Sequence, residues 1–208
     1  MKNTIVFVDI VSSSKAWKNH PNGMQRAIKK HFDIVKQFVK KYRGNIVKTI
    51  GDAHMIVFSG NKSLRKAIAF SIELQYIHKD KPIYINKQSN MTIKFRVGIA
   101  YGKMHPMRSK IQGCMLQDYI GATVNIASRM ESKISGKTGF AFFSEGAVDR
   151  ELLQALNTIG KVNTIIVDNN CLRQQKQIRS TRILNPECMN PKELKGVGEL
   201  MAYKVTLF

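Results

Sequence analysis

The sequence predicts an α+β domain, and three observations carry that expectation. A near-continuous apolar run with β-branched enrichment, Asn3 to Val11, has the pattern of a strand buried on both faces. The apolar segments Val47–Ile50 and Ala53–Phe58 meet at Gly51-Asp52, which reads as a hairpin tip. Two further segments, 23–42 and 63–78, place their apolar residues at the helical period.

Taken in order, the first strand carries Asp9 in its interior. A carboxylate buried there without a partner costs several kcal/mol, so Asp9 needs either a cationic side chain or, the sharper alternative, a metal ion. Ser12-Ser13-Ser14 reads as a loop of small polar residues able to lie close to phosphates. From Gly23 to Tyr42, Ile28, Phe32, Val35, Val39 and Tyr42 recur at three and four, with Lys29, Lys30, Lys36, Lys40 and Lys41 left to the wet faces. Arg43-Gly44-Asn45 closes this helix, with Gly44 suited to a left-handed stop.

In the hairpin, Lys48 and Asp52 offer a cation and a carboxylate to one neighbourhood. Alone, the segment also fits a Gly-Asp turn chosen for positive φ and solubility. The second helix turns Leu64, Ala67, Ile68, Ile72 and Tyr76 inward. Lys79–Asn90 reads as a polar connection, and Thr92–Tyr101 as a strand with Phe95, Val97, Ile99 and Tyr101 on one face, ended at Gly102. The second half of Asp118–Glu131 reads as a helix whose apolar side holds Ile126, Ala127, Met130 and Ile134. Asn125 and Arg129, four apart, project from one face. They are either ordinary solvated residues or a carboxamide and a guanidinium able to hold ribose and a phosphate oxygen.

Composition narrows the class. A chain of 208 residues, 43% hydrophobic, suits one domain spanning 1–208 with insertions. The formal charge of +20 attracts polyanions: nucleic acid, an anionic membrane surface or a nucleoside triphosphate. The cations are spread along the chain without interleaved aromatic residues, which favours a solvated basic surface over a nucleic-acid site. Cys114, Cys171 and Cys188 have no metal-ligand spacing and fit a reducing cytosol. No stretch approaches the roughly 18 apolar residues of a membrane span, and the N-terminus enters a strand too early for a signal peptide. The expectation is a cytoplasmic protein without a membrane partner.

Several segments, in order, resemble the class III nucleotidyl cyclases, the family of the adenylate and guanylate cyclase catalytic domain. They are Phe7-Val8-Asp9-Ile10, Lys48-Thr49-Ile50-Gly51-Asp52, the run Phe95 to Gly102, Asp118-Tyr119-Ile120-Gly121 leading into Val124-Asn125-Ile126-Ala127-Ser128-Arg129, and Glu193 to Glu199 before the strand Ala202–Val205. The resemblance implies a ferredoxin-like fold, a central, mostly antiparallel sheet with helices packed on one face, in a head-to-tail homodimer. It implies that Asp9 and Asp52, helped by the Ile10 carbonyl, hold two Mg²⁺ or Mn²⁺ ions per active site. It further implies that Lys48 and Asp118 read the base, Asn125 positions the ribose, Arg129 stabilises the transition state and Lys195 grips the terminal phosphates of a nucleoside triphosphate. The full set on one chain argues for a homodimer with two interface sites.

The Lys48 and Asp118 pair is of the adenylate type, so the reaction expected is ATP to cyclic AMP plus pyrophosphate. A bare catalytic domain also resembles the stand-alone pyrimidine cyclases that make cyclic UMP or cyclic CMP as an antiphage signal. A catalytically inactive nucleotide-binding domain and a nucleic-acid-binding protein are the readings from other classes. Residues 146–192 match the family less closely and read as a surface insertion containing a strand at 164–167, or as a docking element. Pro106–Gln117 lies where the family has a dimerisation arm.

Overall fold

The computed structural model describes residues 2–111, 114–136, 139–146, 148–168, 179–180 and 199–208. Its first half runs β1 (Lys2–Ile10), α1 (Ser13–Asn19), α2 (Pro21–Lys41), β2 (Asn45–Ile50), β3 (Ala53–Phe58), α3 (Ser63–Asp80), β4 (Tyr84–Asn86), β5 (Met91–Thr92) and β6 (Phe95–Lys103). There follow β7 (His105–Ile111), β8 (Cys114–Ile120), α4 (Ala122–Arg129) with a π turn at Met130–Ile134, β9 (Gly139–Ser144), α5 (Arg150–Ile159), β10 (Lys161–Asp168), β11 (Arg179–Ser180) and β12 (Glu199–Thr206).

The main sheet has the order β11-β10-β12-β9-β6-β1-β3-β2. β6 and β9 pair parallel, and the other neighbours pair antiparallel. The segment β1-α2-β2-β3-α3-β6, with spatial order β6-β1-β3-β2, is the ferredoxin-like split βαβ pattern. β1 is central, and its apolar run is buried on both sides as its composition requires.

The two faces of β1 feed two cores. Val6, Val8 and Ile10 join Ile56 and Phe58 of β3, Phe95, Val97 and Ile99 of β6, and the inward residues of α2, α3 and α5. Ile5, Met55, Val57 and Ala100 join Ala127, Met130 and Ile134 on the opposite side. The expectation of helices on one face is therefore corrected: α2, α3 and α5 cover one face, and α4 with its π turn covers the other. The reason lies in β6. At Gly98 an added Cβ would stand 2.0 Å from the Glu131 amide nitrogen and 2.3 Å from the Ala127 carbonyl oxygen, so glycine alone lets α4 lie against the strand. Gly102 sits within β6 rather than ending it, and a Cβ there would meet Thr123 and Glu145.

Other local expectations are refined. Ser13 and Ser14 open α1 instead of forming a loop, behind Ser12 in the left-handed region. Arg43, at φ 55°, is the left-handed residue after α2, while Gly44 is needed because a Cβ would come within 2.6 Å of the Phe58 ring. The connection after α3 contains the small β4–β5 hairpin. The strand expected at 164–167 lies within β10, which pairs with β12 along its length. Among the described residues no helix is long and apolar enough to cross a membrane.

Candidate active site

Three elements bring the expected metal ligands to one end of the sheet. In β1, Asp9 alternates with Val8 and Ile10 and so emerges on the α4 side of the strand. The β1–β3 register runs up to the pair Val8 and His54, one residue short of Asp9 on β1 and two short of Asp52 on the hairpin. The two-residue turn that presents Asp52 closes on the pair Ile50 and Ala53, with Gly51 at φ +62° where a side chain would be strained. Asp52 Oδ2 is buried and has no hydrogen-bond partner among the described residues. A carboxylate oxygen left so is costly to desolvate and suits a cation.

Asp9 has a partner. Arg96, directly opposite it on β6, donates from Nη2 to Asp9 Oδ2 at 2.7 Å. Its Nε forms an ion pair with Glu131 Oε1 in the π turn at 2.9 Å, without hydrogen-bond geometry, and its Nη1 reaches the Ser132 carbonyl at 3.4 Å. Burial pushes the Glu131 carboxyl up to about 7; Arg96 pulls against that shift and the charge of Asp9 adds to it. Among the described residues no three side chains form a ready-made metal cluster. Two carboxylates and a backbone carbonyl nevertheless fit divalent cations that take their remaining ligands from water and substrate phosphates.

The pair expected to read the base, Lys48 and Asp118, is in contact. A bulge in β2 between Ile46 and Lys48 sets Lys48 opposite Met55, whose side chain belongs to the α4-side core. In regular pairing Lys48 would face His54 and the other core. The re-aimed ammonium meets Asp118 Oδ2 at 2.5 Å, and Asp118 Oδ1 accepts from the Tyr119 amide at 2.8 Å. Partial burial raises the Asp118 carboxyl, but the hydrogen bonds from Lys48 and the Tyr119 amide outweigh it and hold the group below its usual range. Asp118 stands on β8, paired with Met107 of β7 in the two-stranded arm expected there.

Asn125 is exposed and Arg129 half-buried, four residues apart on α4. Neither side chain makes a hydrogen bond to the groups above among the described residues. Lys195 lies outside the described residues. Two clefts, of about 600 Å³ beside α3 and Asp149 and about 550 Å³ beside His20 and Tyr84, lie elsewhere and include none of these residues. Sequence reasoning missed Arg96 and Glu131: the first stands inside a matched segment and the second two residues past one, but only the β1–β6 register and the π turn reveal that they converge on Asp9.

The fold and these residues together define a cyclase catalytic domain. The chain belongs to the family "Adenylate and Guanylate cyclase catalytic domain", whose model matches residues 2–140. It is 27% identical over 213 residues to an adenylate cyclase of Podospora anserina, covering 93% of this chain and 10% of that protein. It is 29% identical over 174 residues to an adenylate cyclase of Schizosaccharomyces pombe, covering 74% of this chain and 9% of that protein. The chain thus spans about a tenth of the length of these relatives. The crystal structure of the guanylate cyclase domain of RhGC from Catenaria anguillulae in complex with GTP matches over 99% of this chain and 96% of that one, with TM-score 0.68 and 18% identity.

Proposed function

We propose that residues 1–208 form one nucleotidyl cyclase domain that converts ATP to cyclic AMP and pyrophosphate in a reducing, cytoplasmic setting. The observation that supports this reading is the buried Asp52 Oδ2, without a hydrogen-bond partner among the described residues, at the tip of the hairpin whose strand β3 pairs with β1 as far as Val8. Asp9, Asp52 and the Ile10 carbonyl would hold two Mg²⁺ or Mn²⁺ ions. Two such ions would lower the pKa of the ribose 3′-hydroxyl and neutralise the oxygens of the α-phosphate and leaving pyrophosphate.

The chain's own residues do the rest. Lys48 donates to a ring nitrogen of adenine and Asp118 accepts from its amino group, an arrangement for which their ion pair is pre-aligned. Asn125 orients the ribose. Arg129 places a fixed guanidinium where negative charge builds up, and Lys195 holds the terminal phosphates. The adenylate cyclase names of the relatives support ATP, and no comparison favours the pyrimidine alternative.

The working unit is a homodimer with two sites, each completed by the second copy. Support comes from the apolar exposure around the Lys48 and Asp118 pair: Ile50 is 51%, Ile120 50% and Met107 42% exposed. Exposed apolar residues clustered on a hairpin tip and an arm are what an interface needs. Incubating the purified protein with ATP, GTP, CTP and UTP separately, with Mn²⁺ or Mg²⁺, and identifying products by mass tests the proposal. Cyclic AMP as the dominant product is expected. A dominant cyclic pyrimidine nucleotide would overturn the reading of Lys48 and Asp118, and no cyclic product would overturn the activity.

A further inference from the structure

The geometry points to Arg96 and Glu131 as positioning residues for Asp9. We propose that Glu131 holds the Arg96 guanidinium between two carboxylates, so that Asp9 keeps Oδ2 fixed and turns its other oxygen to a divalent cation. This rests on the reading of Asp9 as a metal ligand.

The three groups come from three elements. Asp9 and Arg96 are cross-strand partners in β1 and β6, and Glu131 reaches them from the π turn that Gly98 admits against the strand. Single π turns inside helices recur at functional sites because they re-aim side chains. Here the turn brings a carboxylate that is 7% exposed to a guanidinium already bound to Asp9. A planar guanidinium can bridge two carboxylates from separate edges, which an ammonium cannot do with the same rigidity.

Charge explains why the second carboxylate matters. An arginine alone beside Asp9 would neutralise it and repel an incoming divalent cation. With Glu131 also on the guanidinium, its positive charge is shared between two carboxylates, and Asp9 is held in place without taking the whole of it. Partners that orient metal ligands commonly contribute 10- to 100-fold in metal affinity.

The test is Mn²⁺ binding to the full chain at pH 8, followed by electron paramagnetic resonance, with the Mn²⁺ concentration for half-maximal turnover as a second readout. Glu131→Gln, isosteric and uncharged, is expected to weaken Mn²⁺ binding by about 10- to 100-fold. Most of the turnover should return at saturating Mn²⁺, with the melting temperature unchanged. In an Arg96→Met background the same substitution should add no further loss, because Glu131 acts through Arg96. Should Glu131→Gln fail to fold, Arg96→Lys, at a half-exposed position, carries the same prediction. Mn²⁺ binding within about twofold of the parent in these variants, while Asp9→Asn loses it, would overturn the positioning role. Binding retained in Asp9→Asn would instead overturn the metal reading of Asp9.

Discussion

At the residue scale, Arg129 and Lys48 differ in how their surroundings prepare them. Arg129 has no partner among the described side chains and stands on the last turn of α4, where the proposed function has it meet charge that arrives with substrate. Its replacement by alanine should lower kcat by about 10²–10³-fold and leave the nucleotide KM within a few-fold. Steady-state kinetics with ATP checks this, and a pure KM effect would contradict the transition-state role. Lys48 is aimed by a bulge that the sequence does not announce, because Ile46 to Ile50 reads equally well as a regular strand. The contact with Asp118 was legible only through the family motif. Arg96 and Glu131 were not legible at all, since their meeting depends on strand register and a π turn.

At the scale of elements, the face of α4 is set by glycine and the α2–α3 contact by histidine. Gly98→Ala forces a methyl into the backbone of α4 and the π turn, so a loss of about 3 kcal/mol, at the upper end for overpacking, is expected in urea denaturation. His31 of α2 and His78 of α3 are both buried, with Nδ1 of the first 2.9 Å from Nε2 of the second. His78 Nδ1 faces the Leu74 carbonyl at 2.9 Å and donates to it, so Nε2 must accept from His31 Nδ1. Protonating His78 would set two donors against each other. Burial holds His78 down to about 4 and His31 well below its usual value, where the neighbouring His78 and His54 add to the effect. Folded histidines then bind fewer protons than unfolded ones. Stability is complete above about 6.5 and is lost as pH falls from there toward 4. Between pH 7.5 and 5, His78 alone should cost about 2 kcal/mol, and His78→Gln should flatten the dependence of the urea midpoint on pH. The helices themselves were legible, because α2 and α3 bury one stripe each. The placement of α4 on the far face was not, because the small side of β6 (Gly98, Ala100, Gly102) reads as turn-like punctuation rather than as a docking surface.

At the scale of the whole molecule, the charge spread along the sequence becomes a face. Arg26, Lys29, Lys30, Lys36, Lys40 and Lys41 are all exposed on α2 with Asp33 the acidic residue among them. The ferredoxin-like half was legible from periodicity and motif together. The addition of α5 and β10 to the same layers was not, since only tertiary pairing with β12 distinguishes that stretch from a surface insertion.

In the proposed homodimer a complete site forms from Asp9 and Asp52 of one copy and Asn125 and Arg129 of the other. Mixing two inactive variants, Asp52→Ala and Arg129→Ala, tests this arrangement. Random reassortment makes half the dimers mixed, each with one intact site, so cyclic AMP production should recover to roughly a quarter of the parent's. No recovery on mixing, from variants that dimerise and remain folded, would contradict the shared site.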